Sequence, residues 1–117
     1  MKRRLNIAAG TIHDPRVLLL DEPTAFLDLR HQVAAMRMAQ VAARGGLCVV
    51  AVLHDLNLAA AACDRLVVLS QGRVVAEGPP ADVLTAERVR EVWEVPVWRG
   101  ENAETGAPVV FPALPRP

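Results

Sequence analysis

Four side chains have the types and spacing to do chemistry together. Asp21 and Glu22 are adjacent acids directly after the aliphatic run "RVLLL" at residues 16–20. Asp28 follows six residues beyond Glu22, and His54 comes straight after a second apolar run, "LCVVAVL" at 47–53. An Asp at such a point can hold Mg²⁺, usually through water, and a neighbouring Glu can take a proton from an attacking water. A His there can touch a terminal phosphate or position the water. Each residue also has an ordinary use. "DE" can be a solvated turn with a capping acid, His54 a satisfied loop or core side chain, and Asp28 a helix N-cap. What raises the chemical reading is shared placement: both runs look like strands, and ligands bind at the C-terminal edge of open α/β sheets.

The elements that would position these groups are legible from pattern. Residues 2–13 read as a helix with Leu5, Ala8, Ala9 and Ile12 on one face, stopped by Pro15. Residues 16–20 and 47–53 read as strands buried on both faces, as in a parallel sheet. Between them, 30–44 reads as a helix with Val33, Met36, Ala39 and Ala43 on one face and Gly45-Gly46 as its break. Strand, acid turn, helix, strand is the parallel α/β pattern. Asp55 can cap a short helix over 56–62. "RLVVLSQGRVVAEG" at 65–78 reads as a hairpin turning at Gln71-Gly72. "PPADVLTAERVREVWE" carries two short helical pieces. From Val95 onward, "VPVW" and "PVVF" suggest a small appended hairpin with a loose end.

Composition narrows the function classes. The 117 residues are 52% hydrophobic with a formal net charge of zero. The chain can bury a core, and it lacks the clustered basic excess of a nucleic-acid footprint. Cys48 and Cys63 lie in apolar surroundings, at a spacing that fits neither a metal pair nor a disulfide framework, and are expected to be buried free thiols of a reducing cytosol. No apolar stretch approaches the roughly 18 residues that span a bilayer. The start has a basic head but too short an apolar part for a signal peptide. A cytoplasmic protein is expected, with any membrane role indirect.

Several segments together resemble one family. "VLLLDEPTAFLD" resembles the Walker B strand and D-loop of ATP-binding-cassette (ABC) transporter ATPases, and "AVLHDLNLAA" their switch-histidine segment. "DRLVVLSQGRVVAEGPPADVL" resembles the hairpin and helix that follow, and "MKRRLNIAAGTIHDP" the helix after the signature motif. The order and spacing agree over about residues 1–95. The resemblance implies a partial P-loop NTPase (RecA-like) α/β fold: a parallel sheet with helices that lacks the P-loop strand, followed by a small C-terminal hairpin. Residues 1–95 would be the C-terminal part of a nucleotide-binding domain and 96–117 a C-terminal extension. By the same resemblance, Asp21 would coordinate Mg²⁺ through water and, like Asp28, serve ATP binding. Glu22 would be the general base for ATP hydrolysis, His54 would contact the γ-phosphate, and Asp28 would act across a dimer of ATPase subunits. Permease subunits, and indirectly a periplasmic binding protein, would be the partners at the inner face of the cell membrane.

One half of such a site has no counterpart here. A P-loop needs G-x-x-x-x-G-K-[ST], because backbone N–H groups and a Lys cradle the phosphates. The single Lys stands at position 2, with no Gly before it. The resemblance puts the P-loop, the adenine-stacking aromatic, the Q-loop glutamine and the signature glycines upstream of Met1. It also puts the P-loop strand between the histidine strand and the first strand of the late hairpin. Without it, two strands would lose pairing partners, so the isolated chain is expected to be marginally stable or aggregation-prone. "VLHDLNLAA", "LDLRHQ" and "GENAETGAPVVFP" are similar to importer ATPases for iron-siderophores and haem. The expectation is therefore the ATP-binding subunit, in its C-terminal part, of such an importer. The alternatives are a non-catalytic interaction module and a truncated gene product without ATPase activity of its own.

Overall fold

A computed structural model describes residues 16–117. The reading of residues 2–13 as a helix lies outside the described residues. The chain forms two compact units, one ending at His54 and one running from Asp55 to Pro117.

Among its described residues the first unit is one strand–helix–strand. β1 (Val17–Asp21) and β2 (Cys48–Val52) pair in parallel, from Val17 opposite Cys48 to Asp21 opposite Val52. α1 (Leu29–Arg44) connects them. Its N-cap is Asp28, whose carboxylate accepts from the His31 backbone N–H at 2.9 Å. Its end is closed by Gly46 at φ 105, with Gly46 N–H donating to Ala43 O and Leu47 N–H to Ala42 O. This crossed pair of bonds needs a residue that tolerates positive φ, which explains the second glycine of "GG". Met36 and Ala39 are buried, and α1 packs back on β2.

The sheet itself departs from the sequence expectation. A parallel sheet enclosed on both sides was expected, but burial alternates along both strands. Leu18, Leu20, Val49 and Ala51 are partly covered, whereas Leu19 is 55% and Val50 47% exposed. Paired residues of a parallel ladder share a face, so Val17, Leu19, Cys48, Val50 and Val52 make one bare apolar face. Cys48 lies on it and is exposed, contrary to the buried thiol expected, while Cys63 is partly buried. Burial first, and the charge of Asp64 second, push the Cys63 thiol up. A uniformly aliphatic run signals what a strand can bury, not how many layers are present to bury it.

The second unit has a closed core. α2 (Leu56–Ala62), capped by Asp55, is followed by the hairpin β3 (Leu66–Ser70) and β4 (Arg73–Gly78). Gln71 and Gly72 both have positive φ, at 50° and 75°, the two-residue turn whose twist matches a hairpin. α3 (Pro80–Val83) and α4 (Ala86–Trp93) come next, then the antiparallel pair β5 (Val97–Glu101) and β6 (Pro108–Pro112). Val83 and Leu84, each 1% exposed, Val89, Ala60, Val68 and Val110 form the core cluster. Arg88 Nη1 donates to the carbonyls of Asp82 and Val83, and Arg99 Nε to that of Leu84. Two guanidiniums thus satisfy carbonyls that the short α3 leaves open. Among the described residues the strands form three separate two-stranded sheets, and β2 and β3 each have a single strand partner.

Candidate active site

The two residues after the strand ends meet. β1 closes on Asp21, and Glu22 then takes φ 51, the left-handed region. A non-glycine residue there costs about 1–2 kcal/mol. What holds it is a ladder extension: Glu22 N–H donates to Val52 O at 2.9 Å. The turn continues with Ala25 N–H to Glu22 O and Leu27 N–H to Thr24 O. Phe26, also at positive φ, leaves its ring fully exposed. This kink directs the Glu22 carboxylate to the other strand end, where His54 Nε2 donates to Glu22 Oε1 at 2.5 Å. A carboxylate only accepts, so Nε2 carries the proton. Oε2 of Glu22 is then available to accept from a water.

The pair is open: the side chains are 79% (His54) and 46% (Glu22) exposed. A surface ion pair of this kind contributes little to stability. Its geometry orients two functional groups; it does not hold the unit together.

The other two sequence candidates stand apart from that contact. Asp21 takes no side-chain partner among the described residues. Its lone carboxylate at the strand end suits Mg²⁺, which binds one or two carboxylates plus water and phosphate oxygens and rarely uses a dedicated protein cage. No group of three or more His, Cys, Asp and Glu that could hold a metal occurs among the described residues. Asp28 is engaged by His31, through the backbone N–H and through Nδ1 at 2.7 Å. The backbone bond first, and the ring bond second, hold its carboxyl below the ordinary range. The N-cap role weighed for Asp28 is thus present.

Sequence reasoning missed two residues here. His31 pairs with Asp28 one helical turn on, a spacing that could have been noticed. Asn57 bonds to Val110, 53 positions away, which no local pattern announces.

Comparison with known proteins agrees with the resemblance. The chain is 51% identical over 111 residues, 95% of its length, to the hemin import ATP-binding protein HmuV of Rhodococcus jostii. It is 50% identical over 109 residues, 93% of its length, to the protein of the same name in Nocardia farcinica. Over nearly all of its length the chain is similar to ATP-binding subunits of ABC transporters. It spans 38% of the length of each of these two curated relatives. No family model matches the sequence. Among solved structures, one of an inward-facing metal-chelate type ABC transporter aligns with a TM-score of 0.73 at 22% identity, over 85% of this chain and 41% of that one. At that identity the likeness concerns the fold. CbiO1 of Clostridium perfringens, part of the ABC transporter complex cbiONQ, aligns at 0.55 and 32% identity over 66% of this chain and 31% of that one. The mixed α/β architecture expected for this ABC ATPase segment is the one observed. No helix among the described residues is long and apolar enough to cross a membrane.

Proposed function

We propose that the chain supplies the water-activating half of the ATPase site in a haem or iron-siderophore importer. The observation that carries this reading is the 2.5 Å contact between Glu22 and His54 at the ends of a parallel strand pair. Glu22 accepts the proton of the attacking water through the oxygen that His54 leaves open. His54 fixes the other oxygen and reaches toward the γ-phosphate. Asp21 would hold Mg²⁺ through water, and the chemistry supplied there by a bound ion would be charge neutralisation at the phosphates. Asp28 acts across a pair of ATPase subunits. The partners are permease subunits at the cytoplasmic face of the membrane and, indirectly, a periplasmic binding protein. The cargo reading draws on the HmuV relatives, whose name concerns hemin.

The sequence of 117 residues contains no P-loop motif to cradle phosphates. Since the cradle supplies most of the positioning in phosphoryl transfer, the chain alone is expected to bind ATP weakly and not to hydrolyse it. The test is complementation with the remaining part of the Rhodococcus jostii relative. Turnover that appears on mixing and is lost in Glu22→Gln supports the proposal. A stable complex without Glu22-dependent turnover would favour the second reading, a non-catalytic interaction module, to which the bare apolar face of the first unit also speaks.

A further inference from the structure

Asp28 stands in the segment "LDLRHQ", residues 27–32, at the corner where the turn after β1 becomes α1. Packing does not hold this corner, since Ala25 to Arg30 are all exposed. The turn is held by Ala25 N–H on Glu22 O at 3.1 Å and Leu27 N–H on Thr24 O at 3.3 Å. Two side chains at the start of α1 then reach back to it. His31 Nδ1 donates to Asp28 Oδ1 at 2.7 Å, and Gln32 Nε2 donates to Leu27 O at 3.1 Å. A carboxylate only accepts, so Nδ1 of His31 carries the proton. The His31 backbone N–H also ends on Asp28 Oδ1, at 2.9 Å. Capping the helix needs only that backbone bond. With one donor the carboxylate can still turn about its Cβ–Cγ bond, a torsion with broad preferences. A second donor on the same oxygen, arriving from the ring, fixes the carboxylate plane and leaves Oδ2 as the oxygen that takes neither bond. The side chains of the pair are 67% (His31) and 68% (Asp28) exposed, so the contact contributes little to stability. A bond that is spare for the cap and weak for stability has orientation as its remaining effect.

We infer that His31 is a positioning residue for Asp28: its ring locks the carboxylate plane, with Gln32 steadying the preceding peptide, so that Oδ2 is presented in a fixed direction to a second ATPase subunit. Every residue involved lies between Glu22 and Gln32, within the first unit. The alternative use of His31 is structural alone, support for the first turn of α1 with no bearing on how Asp28 meets a partner. This inference rests on the proposed action of Asp28 across a pair of ATPase subunits, and the experiment separates the two claims.

The full 117-residue chain, labelled at aspartate carboxyl carbons and histidine ring nitrogens, is compared with His31→Ala by NMR. Both chains, each with and without Asp28→Ser, are then mixed with the remaining part of the Rhodococcus jostii relative and assayed for turnover. Asp28→Ser keeps a capping oxygen but removes the carboxylate, so it tests the reading, and most of the turnover should be lost. If Asp28→Ser keeps full turnover, or none appears on mixing, that reading fails, and the carboxyl signal still decides what His31 does. His31→Ala should move the Asp28 carboxyl signal and raise its titration midpoint. The rise should be partial, because the backbone bond, the larger cause of the low value, stays. Helical circular dichroism at neutral pH should not change, since the cap remains. Turnover should fall roughly fivefold with Asp28 present and not at all with Asp28→Ser, the non-additivity of one residue acting through another. If His31→Ala fails to fold, the wild-type ring nitrogens decide: neutral His31 should carry its proton on Nδ1, and a proton on Nε2 instead would sink the inference. An Asp28 carboxyl signal unmoved by His31→Ala, or equal turnover losses in the two backgrounds, would overturn it.

Discussion

The two units divide chemistry and core between them. The unit ending at His54 holds Asp21, Glu22, Asp28 and His54, yet buries only Met36 and Ala39 among its described apolar residues. The unit from Asp55 holds no candidate catalytic acid, yet buries Val68, Val83, Leu84, Val89 and Val110. A parallel pair is stable when both of its faces are covered. Here α1 covers one, and the other keeps Leu19 and Val50 half in water. Antiparallel hairpins need cover on one side only, so β3–β4 and β5–β6 close a core with two short helices. The strand pair that carries the reactive groups is therefore the part that depends most on further covering.

The contrast breaks most readily in the core. Leu84→Ala should cost about 2–5 kcal/mol in chemical denaturation, the range for a fully buried leucine. Leu19→Thr, on the bare face, should stay within roughly 0.5 kcal/mol, as for an exposed site. Equal losses at the two positions would mean that the strand face is covered in solution. Thiol reactivity reads the same difference at lower amplitude. Cys48, exposed on that face, should react with a small disulfide reagent at neutral pH roughly tenfold faster than Cys63, whose thiol burial pushes up. Mass spectrometry of the singly modified chain would show which sulfur reacted.

Helix caps offer a finer comparison. The Thr85 hydroxyl accepts from Arg88 N–H at the start of α4, and Thr85→Ala should lower the stability of the second unit by about 1 kcal/mol. Asp28 caps α1 in the first unit, and its effect depends on pH. Its carboxyl is held low in the folded state, so the cap contributes fully above the ordinary carboxylate range near pH 4 and is lost as pH falls through the depressed value. Helical circular dichroism should therefore fall on acidification, and Asp28→Asn, which keeps an accepting oxygen, should flatten that part of the curve. An unchanged curve in Asp28→Asn would assign the loss to other acids.

Much of this was legible locally. α2 follows its pattern over 56–62, and the β3–β4 turn falls on Gln71-Gly72, because Asp caps and glycine turns act over three or four residues. The acids and the histidine were legible as strand-end residues. Burial was not, since "VLLL" and "CVVAV" describe side chains without stating how many layers surround them. Nor were the Arg88 and Arg99 carbonyl contacts, which belong to charged residues that a sequence reading leaves in solvent.

By itself, the sequence determined most of the described elements and put the candidate acids and histidine at one edge of the strand pair, because periodicity, caps and turn residues are short-range. It also determined that these residues contain no P-loop motif. Tertiary structure alone decided that Glu22 turns into the left-handed region to meet His54 across 32 positions, and that Asn57 grips Val110 across 53. Such contacts are set by strand register and by the packing of distant elements, which are properties of the folded chain and of no single segment.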